Sequence, residues 1–264
     1  MKSYYFISGL PRSGSTLLSG ILKQNPDFDA DISSPVQGIA ETSINVITSS
    51  ENNLTIAEDQ RKNLIHGVFE GYYKHIEKPV IFDSSREWTK KTPFLKELFP
   101  YTKILCSVRD IVSILNSFEI IFSKNPFYTN KITPNCNTVF SRCDCLINFE
   151  NGIVSRPWMG LKEGYFSNPD MIKFIEYENL CQNPEQTMRE VYEFLEKPYY
   201  SHDFENVKYS NENFDKSCNL KDLHTVKRKV EYNPPRCILP PDTVQKYSEM
   251  NMEFWRNLHN NTNE

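Results

Sequence analysis

The segment from residue 4 to residue 18 constrains the fold of this chain more than any other stretch. Residues 4–8 are an apolar and aromatic run that ends at a glycine, which is typical of a short buried strand. From Ser15 onward, leucine and isoleucine recur on one face of a helix. A strand, a glycine-bounded loop and a helix start form an anion cradle, because backbone N–H groups and the positive helix end converge there. The sequence therefore predicts a phosphate-binding loop at residues 9–16.

This loop departs from the nucleotide-hydrolysing form of the motif at one position. Gly9, Gly14 and Thr16 have the spacing of a phosphate loop, but Ser15 stands where that form needs lysine. The cation lies inside the loop instead, at Arg12. A P-loop kinase is therefore the less favoured alternative.

Residues 9–16, Gly-Leu-Pro-Arg-Ser-Gly-Ser-Thr, resemble the 5′-phosphosulfate-binding loop of sulfotransferases that use 3′-phosphoadenosine-5′-phosphosulfate (PAPS). In that family a lysine or arginine occupies the fourth position and hydroxyl residues close the loop. The resemblance implies sulfuryl transfer that leaves adenosine 3′,5′-bisphosphate (PAP) and needs no divalent metal. The residues that it assigns to the cofactor are Pro11, Arg12, Ser13, Gly14, Ser15 and Thr16.

A second anion site is predicted where residues 103–108 form a strand and residues 110–124 form a helix. Arg109 ends the strand, and Ser117 lies two turns down the helix. The carboxyl ends of parallel strands are where open α/β sheets bind ligands. In the sulfotransferases that this chain resembles, an arginine and a serine with this spacing hold the 3′-phosphate. Taken alone, Arg109 beside Asp110 is better explained as a capping ion pair than as a ligand site, and the pairing with the first loop at this separation favours the ligand site.

Three further segments are similar to the bacterial and tyrosylprotein sulfotransferases. Lys91, in Lys-Lys-Thr-Pro, matches a lysine that helps to hold the sulfuryl group. Tyr177 matches a tyrosine that contacts the nucleotide, although a core aromatic residue explains it as well. A basic run within residues 221–236 resembles the loop that closes over the cofactor, although a solvated basic turn is the alternative. The cofactor residues implied there are His224, Thr225, Val226, Lys227 and Lys229.

The general base is the least determined part of the predicted site. Sulfuryl transfer needs a group that takes the acceptor proton, and cations that cover the developing negative charge. Arg12 and Lys91 are predicted to be those cations. Asp83, at the end of a predicted strand over residues 79–83, ranks first as the base, with a salt bridge or a helix cap as the alternative. Glu41 ranks second, because the tyrosylprotein enzymes have a glutamate in about this place.

Apolar strands alternate with helices along most of the chain, which predicts an α/β fold. The strands, the last of them over residues 171–177, are expected to form one parallel sheet flanked by helices. No linker separates two halves, so residues 1–264 are predicted to be a single sulfotransferase domain. Residues 125–167 are the least regular part, with one predicted helix from about residue 139 to 151. This segment is expected to face the acceptor.

Three other helix predictions depend on single residues. Gly67 is expected to interrupt an amphipathic helix over residues 56–77. Asp242 is expected to cap a last helix that ends near Leu258. Asn183 is expected to cap another helix, with Pro184 as its first residue.

Composition limits the partners and the compartment. The net charge of −4 argues against binding of nucleic acid or of anionic membranes. Seven cysteines without regular spacing indicate reduced thiols in a cytoplasmic protein, and Cys143 and Cys145 are too close together for a zinc site. No metal is therefore expected. The first strand at the N-terminus excludes a signal peptide, and no apolar run has membrane-spanning length.

The acceptor stays open at this stage. An alcohol, a phenol, a sugar or a peptide tyrosine all fit the predicted chemistry, so the expected partner is a small-molecule or peptide acceptor. The oligomeric state is also open, with a homodimer as one option. A non-catalytic PAPS-binding protein is the third alternative, which the candidate catalytic residues Arg12, Lys91 and Asp83 disfavour.

Overall fold

The computed structural model describes residues 2–127, 131–209, 228–250 and 252–260, and within them five parallel strands form one central sheet. The order across the sheet is β2-β3-β1-β4-β5. The predicted α/β fold with a parallel sheet flanked by helices is confirmed. The strands are β1 (Ser3–Gly9), β2 (Phe28–Ala30), β3 (Val80–Ser84), β4 (Ile104–Val108) and β5 (Ile172–Glu176).

Strand β1 is central because it pairs with β3 on one side and with β4 on the other. Its side chains alternate between two buried layers, as the period of a strand requires. Tyr4 and Phe6 pack into the larger layer, whereas Tyr5 and Ile7 pack into the smaller one. A strand buried on both faces has no solvent side, which is why its sequence is continuously apolar or aromatic.

Helices cover both faces of this sheet. Helices α1, α9 and α10 pack on the smaller layer, and α2, α4, α6 and α8 are among those on the larger layer. Short 3₁₀ turns occupy Trp88–Lys91, Pro169–Met171 and Phe254–Asn260. The helices are α1 (Ser15–Leu22), α2 (Val36–Ile47), α3 (Ser50–Thr55), α4 (Glu58–Tyr72), α5 (Thr92–Leu98), α6 (Ile111–Lys124), α7 (Val139–Ile147), α8 (Ser155–Ser167), α9 (Tyr177–Gln182), α10 (Pro184–Phe194) and α11 (Pro241–Ser248).

Strand β2 and helices α8 and α9 are among the elements that were not predicted from the sequence. Strand β2 has only three residues, too few for a periodic pattern. Helix α9 begins at Tyr177, where the sequence pattern predicts the end of a strand. Helix α8 contains Gly160 and Gly164, which lower helix propensity. Packing explains the second glycine, because a Cβ atom at Gly164 would lie 2.2 Å from the Thr89 carbonyl oxygen.

The helix predictions that depended on single residues were partly wrong. Helix α4 runs through Gly67 without a break, since one glycine costs a helix only about 1 kcal/mol. Asp242 lies in the first turn of α11 rather than before it, and α11 ends at Ser248. Asn183 does precede α10, but its side chain makes no capping hydrogen bond.

Candidate active site

The loop between β1 and α1 has a backbone conformation that requires glycine at two positions. Gly9 and Gly14 have φ angles of 116° and 90°. A Cβ atom at Gly9 would lie 2.1 Å from the carbonyl oxygen of Ser107, and one at Gly14 would lie 2.6 Å from the ring of Tyr177. Arg12, between them, has a φ of 59°. Non-glycine residues in this left-handed region are uncommon and concentrate at ligand sites.

Hydrogen bonds to Ser107 hold this loop against β4. The Leu10 N–H donates to the Ser107 carbonyl oxygen at 2.8 Å, and the Ser13 hydroxyl reaches the same oxygen at 2.9 Å. The Ser13 hydroxyl is buried and also lies next to the carbonyl oxygen of Leu10. The side chain of Ser13 is thus used within the protein, which leaves its backbone N–H for an anion.

The predicted loop residues lie at the start of α1. Pro11 is buried, while Gly14, Ser15 and Thr16 are partly exposed. The first intrahelical bond there runs from the Leu18 N–H to the Gly14 carbonyl, at 2.9 Å. The N–H groups of a first helical turn have no partner within their helix, so this turn supplies donors for an anion.

The structure brings Arg12, Arg109 and Ser117 together, although the sequence assigns them to two different anion sites. Arg12 Nε donates a hydrogen bond of 3.1 Å to Ser117 Oγ. Arg109 Nη1 donates one of 3.1 Å to the Arg12 carbonyl oxygen. The two predicted anion sites are therefore neighbours around one loop.

Arg109 is a buried cation with an unused donor. Only 7% of it is exposed, and its guanidinium carbon lies 4.2 Å from the centre of the Tyr177 ring. Its Nε has no hydrogen-bond partner among the described residues, and Glu178 Oε1 lies 3.8 Å away. Asp110 instead caps α6 by accepting the Ser113 N–H at 2.7 Å. This arrangement does not support the capping ion pair, and a buried guanidinium with a free N–H is suited to an anion.

Tyr177 contacts both the phosphate loop and Arg109. Its ring lies against Gly14 of the loop and under the guanidinium of Arg109. Burial raises the pKa of the Tyr177 phenol to about 12, so the side chain is neutral at physiological pH. Tyr177 thus contributes an aromatic surface rather than a charge.

Lys91 and Glu41, both predicted to be catalytic, are bound to each other. Lys91 Nζ lies 3.0 Å from Glu41 Oε1, and Gln37 donates to the other carboxylate oxygen at 2.9 Å. The hydrogen bond from Lys91 is the main cause that lowers the pKa of Glu41. Glu41 is held by Lys91 and does not line the cavity described below, which argues against Glu41 as the proton acceptor.

The structure argues against Asp83 as the base. Asp83 is completely buried, and Trp88 Nε1 and Tyr73 Oη donate to its two oxygens, both at 2.6 Å. Ser34 Oγ also donates to this carboxylate. Burial raises its pKa, but the group has no access to a substrate. Asp83 therefore organises the end of β3 through its hydrogen bonds.

A cavity of about 290 Å³ opens beside the phosphate loop, at the carboxyl ends of β1 and β3. Its charged lining residues are Arg86, Glu87 and Arg156, and it includes neither Lys91 nor Asp83. Lys90 Nζ donates to the Glu87 carboxylate at 2.7 Å, and Arg156 lies 3.7 Å from it. The other lining residues are Ile7, Ser8, Gly9, Leu10, Ser15, Ile32, Ser33, Ser84, Ser85, Asn151, Ile153 and Pro157.

These three charged residues were missed in the sequence analysis. Arg86 and Glu87 follow β3 closely, so the rule that ligands bind at strand ends applies to them as it did to Asp83. Arg156 lies in α8, within the segment 125–167 that had been expected to face the acceptor. No sequence pattern singled it out.

The predicted cofactor-closing loop is described only in part. His224, Thr225, Val226 and Lys227 lie outside the described residues. Lys229 is exposed, and its Nζ lies 3.0 Å from Glu205 Oε2. The prediction for this segment stays a prediction.

A model of the sulfotransferase family matches residues 5–201, which include the loop, Arg109 and Tyr177. The chain belongs to the sulfotransferase family. Its enzyme class is that of the sulfotransferases, as the phosphosulfate-loop resemblance implied. No individually curated protein sequence is significantly similar to this sulfotransferase.

Solved sulfotransferase structures share the fold. The sulfotransferase domain from the curacin biosynthetic pathway is 16% identical, with 95% of this chain and 98% of that one covered at a TM-score of 0.56. The sulfotransferase from Alicyclobacillus acidocaldarius is 14% identical, with coverages of 95% and 91% and a TM-score of 0.54. Mouse sulfotransferase SULT7A1, complexed with PAP, is 16% identical, with coverages of 98% and 86% and a TM-score of 0.57.

The described residues include neither a metal-binding cluster nor a membrane-spanning helix. They contain no group of three or more His, Cys, Asp or Glu side chains that could hold a metal ion. They also contain no helix with the length and apolar character needed to cross a membrane.

The burial of Asp83 generates a prediction about stability. Asp83→Ala should lower the unfolding free energy by about 3 kcal/mol or more, because the buried donors of Trp88 and Tyr73 lose their acceptor at about 1–3 kcal/mol each and the partly buried Ser34 hydroxyl loses it as well. Asp83→Asn keeps one acceptor oxygen and should cost less. Denaturant unfolding, monitored by circular dichroism, measures both.

A comparison of the wild type with Asp83→Asn also tests the direction of the Asp83 pKa shift. Because burial raises the pKa of folded Asp83, the folded state keeps a proton that the unfolded chain loses above about pH 4. Stability from this carboxyl group therefore falls as the pH rises. The advantage of the wild type over Asp83→Asn should be larger at pH 4 than at pH 7, and an advantage that grows with pH would contradict the raised pKa.

Proposed function

We propose that this sulfotransferase moves the sulfuryl group of PAPS to a hydroxyl or amine of a small-molecule or peptide acceptor and releases PAP. The observation that supports this most is the junction of Arg12, Arg109 and Ser117 around a phosphate loop. A loop with an internal arginine and a neighbouring buried arginine suits a ligand with two separate anionic groups.

The residues of the loop fit the 5′-phosphosulfate of such a ligand. Ser15, Thr16 and the first-turn N–H groups of α1 would hold its phosphate, together with the backbone N–H groups of Ser13 and Gly14. Pro11 has no N–H to donate and would contribute by shaping the loop. When bound, PAPS supplies an activated sulfuryl group whose bridging oxygen becomes negative as the S–O bond breaks. We assign to Arg12 the stabilisation of that negative charge, because Arg12 lies within the loop and bears a permanent positive charge.

Arg109 and Ser117 fit the 3′-phosphate. The unsatisfied Nε of Arg109 gives a buried donor that a phosphate oxygen would complete. Ser117 and Arg109 both bind Arg12, the first through the Arg12 side chain and the second through its carbonyl oxygen. Tyr177 supports the guanidinium by a cation–π contact at 4.2 Å.

Lys91 is proposed as a second cation. Its ion pair with Glu41 joins side chains that are 37% and 48% exposed, so the pair contributes only about 0.2–1 kcal/mol. An anion bound at the loop can therefore compete with Glu41 for this lysine. The flexible stem of lysine allows the movement that such an exchange requires.

The sheet order suggests how donor and acceptor approach each other. Strand β1 lies between β3 and β4, and Arg109 follows β4 whereas the cavity opens on the β3 side. The nucleotide and the acceptor would then approach the loop from opposite sides, which is compatible with in-line displacement, in which the acceptor oxygen and the leaving oxygen lie on opposite faces of the sulfur. The acceptor oxygen forms a bond to sulfur, the bond from sulfur to the bridging oxygen breaks, and the acceptor proton goes to a base.

Glu87 is the carboxylate that lines the cavity, and we propose it as that base. Its side chain is 30% exposed, so it is accessible in a way that Asp83 is not. The hydrogen bond from Lys90 fixes its position.

The kinase and the non-catalytic alternatives have less support. A P-loop kinase needs a lysine where this chain has Ser15, which is one of the residues that line the cavity. A non-catalytic binder would not need a charged cavity beside the loop.

Ligand-induced stabilisation tests the cofactor. PAP should raise the melting temperature, because a ligand at a hundredfold excess over its dissociation constant adds about 2.7 kcal/mol to the unfolding free energy. ATP with Mg²⁺ should stabilise far less, as measured by differential scanning fluorimetry. Stronger stabilisation by ATP would replace this proposal with the kinase alternative.

Substitutions at the second anion site should separate the two phosphates. Arg109→Lys and Ser117→Ala should weaken PAP, with the arginine change costing about tenfold or more in affinity, since a charge-assisted hydrogen bond is lost. Adenosine 5′-phosphosulfate, which lacks the 3′-phosphate, is the matched ligand and should bind nearly as before. Calorimetry measures both affinities, and equal weakening of the two ligands would make Arg109 a structural residue.

The base assignment predicts a dependence on the acceptor. Glu87→Gln should lower turnover of an aliphatic alcohol by about a hundredfold or more, the usual size of general-base catalysis. A phenol that is already ionised at the assay pH should be much less affected. Mass-spectrometric assays of both acceptors give the comparison, with Glu41→Gln as the competing variant. A loss in Glu41→Gln but not in Glu87→Gln would move the base to Glu41.

A further inference from the structure

The cavity beside the loop has a distinctive charge pattern. Arg86 and Arg156 line it, and Glu87 is its acidic residue. Both arginines come from outside the phosphate loop, one from the segment after β3 and the other from α8. Positive charge is thus concentrated on the acceptor side of a chain whose net charge is −4.

Arg156 is only weakly neutralised by its acidic neighbour. Its Nη2 lies 3.7 Å from Glu87 Oε2, which is too far for a hydrogen bond. Lys90 already donates to that same oxygen at 2.7 Å. Because Lys90 compensates the charge of Glu87, most of the Arg156 charge remains available to a ligand. The Arg156 side chain is 48% exposed, so a ligand can reach it.

We propose that the cavity selects a small acceptor that carries a carboxylate in addition to its hydroxyl, and that Arg156 binds this carboxylate. The proposal rests on the proposed sulfuryl transfer and names the class of acceptor for the same site. The planar guanidinium of arginine binds a carboxylate through two parallel N–H donors. Arg86 also lines this cavity.

The other lining residues fit an acceptor of this kind. Ile7, Ile32 and Ile153 provide apolar contacts, and serine hydroxyls from two segments provide polar ones. A volume of about 290 Å³ is at the lower end of ligand sites and suits a compact molecule. A small hydroxy acid with an apolar or aromatic body has this combination of features.

Matched pairs of acceptors test the proposal. The probes are 4-hydroxyphenylacetate with its amide and 3-hydroxybutyrate with its amide, since each pair differs mainly in charge. The acid of at least one pair should be sulfated with kcat/KM about tenfold or more above that of its amide, as expected for one charge-assisted hydrogen bond. In Arg156→Gln this ratio should fall to about one through a higher KM for the acid, and Arg156→Lys should restore part of it. Arg189→Gln removes an exposed arginine that is paired with Glu185 on α10, and it should leave the ratio unchanged.

Binding measurements separate this proposal from the proposed function. With PAP bound, the acid should stabilise the wild type more than the amide does, even where no product forms. Stabilisation by PAP itself should persist in Arg156→Gln. If PAP fails to stabilise the wild type, the proposed function is wrong. If PAP stabilises it but no acid exceeds its amide in turnover or in binding, or if Arg156→Gln loses PAP binding, the assignment of Arg156 to the acceptor is wrong.

Discussion

The carbonyl oxygen of Ser107 is the point on which the geometry of the candidate site depends. It accepts the Leu10 N–H and the Ser13 hydroxyl, and it leaves no space for a Cβ atom at Gly9. Arg109 follows the same strand two residues later. The pairing of β1 with β4 therefore fixes the loop and also sets the position of Arg109 relative to Arg12. A change in that register would disturb both anion sites at once.

The buried carboxylate of Asp83 has a comparable role on the other side of β1. Its hydrogen bonds reach Trp88 in the following 3₁₀ turn, Tyr73 at the end of α4 and Ser34 before α2. These bonds offset the cost of burying a carboxylate, which is large when no donor is present. They also hold the segment that carries Arg86 and Glu87 beside the cavity. Asp83 thus supports the site by holding neighbouring segments in place, and it does not itself line the cavity.

The difference between Asp83 and Arg109 shows what the sequence can predict. Asp83 lies near the end of β3, and Arg109 directly follows β4. The carboxyl ends of parallel strands lie at the same edge of a sheet, so the sequence predicts both residues at that edge. The direction of a side chain depends on register, which the sequence does not contain. Asp83 pairs with Phe6, so both side chains point into the larger buried layer. Arg109 lies beyond the last residue of β4, and its side chain reaches the carbonyl oxygen of Arg12 in the loop.

The residues on the two sides of the phosphate loop differ in how well local sequence patterns predict them. The donor side consists of short motifs on the sheet, where spacing along the chain determines spacing in the fold. The proposed acceptor side includes Arg156 of α8. The glycines of this helix pack against the turn after β3 and obscure its pattern in the sequence. Because that contact is tertiary, neither the helix nor the charge that it brings to the cavity follows from local propensity. The same phosphate loop can therefore occur beside cavities that are lined by different residues. The acceptor has to be inferred from the residues that line the cavity.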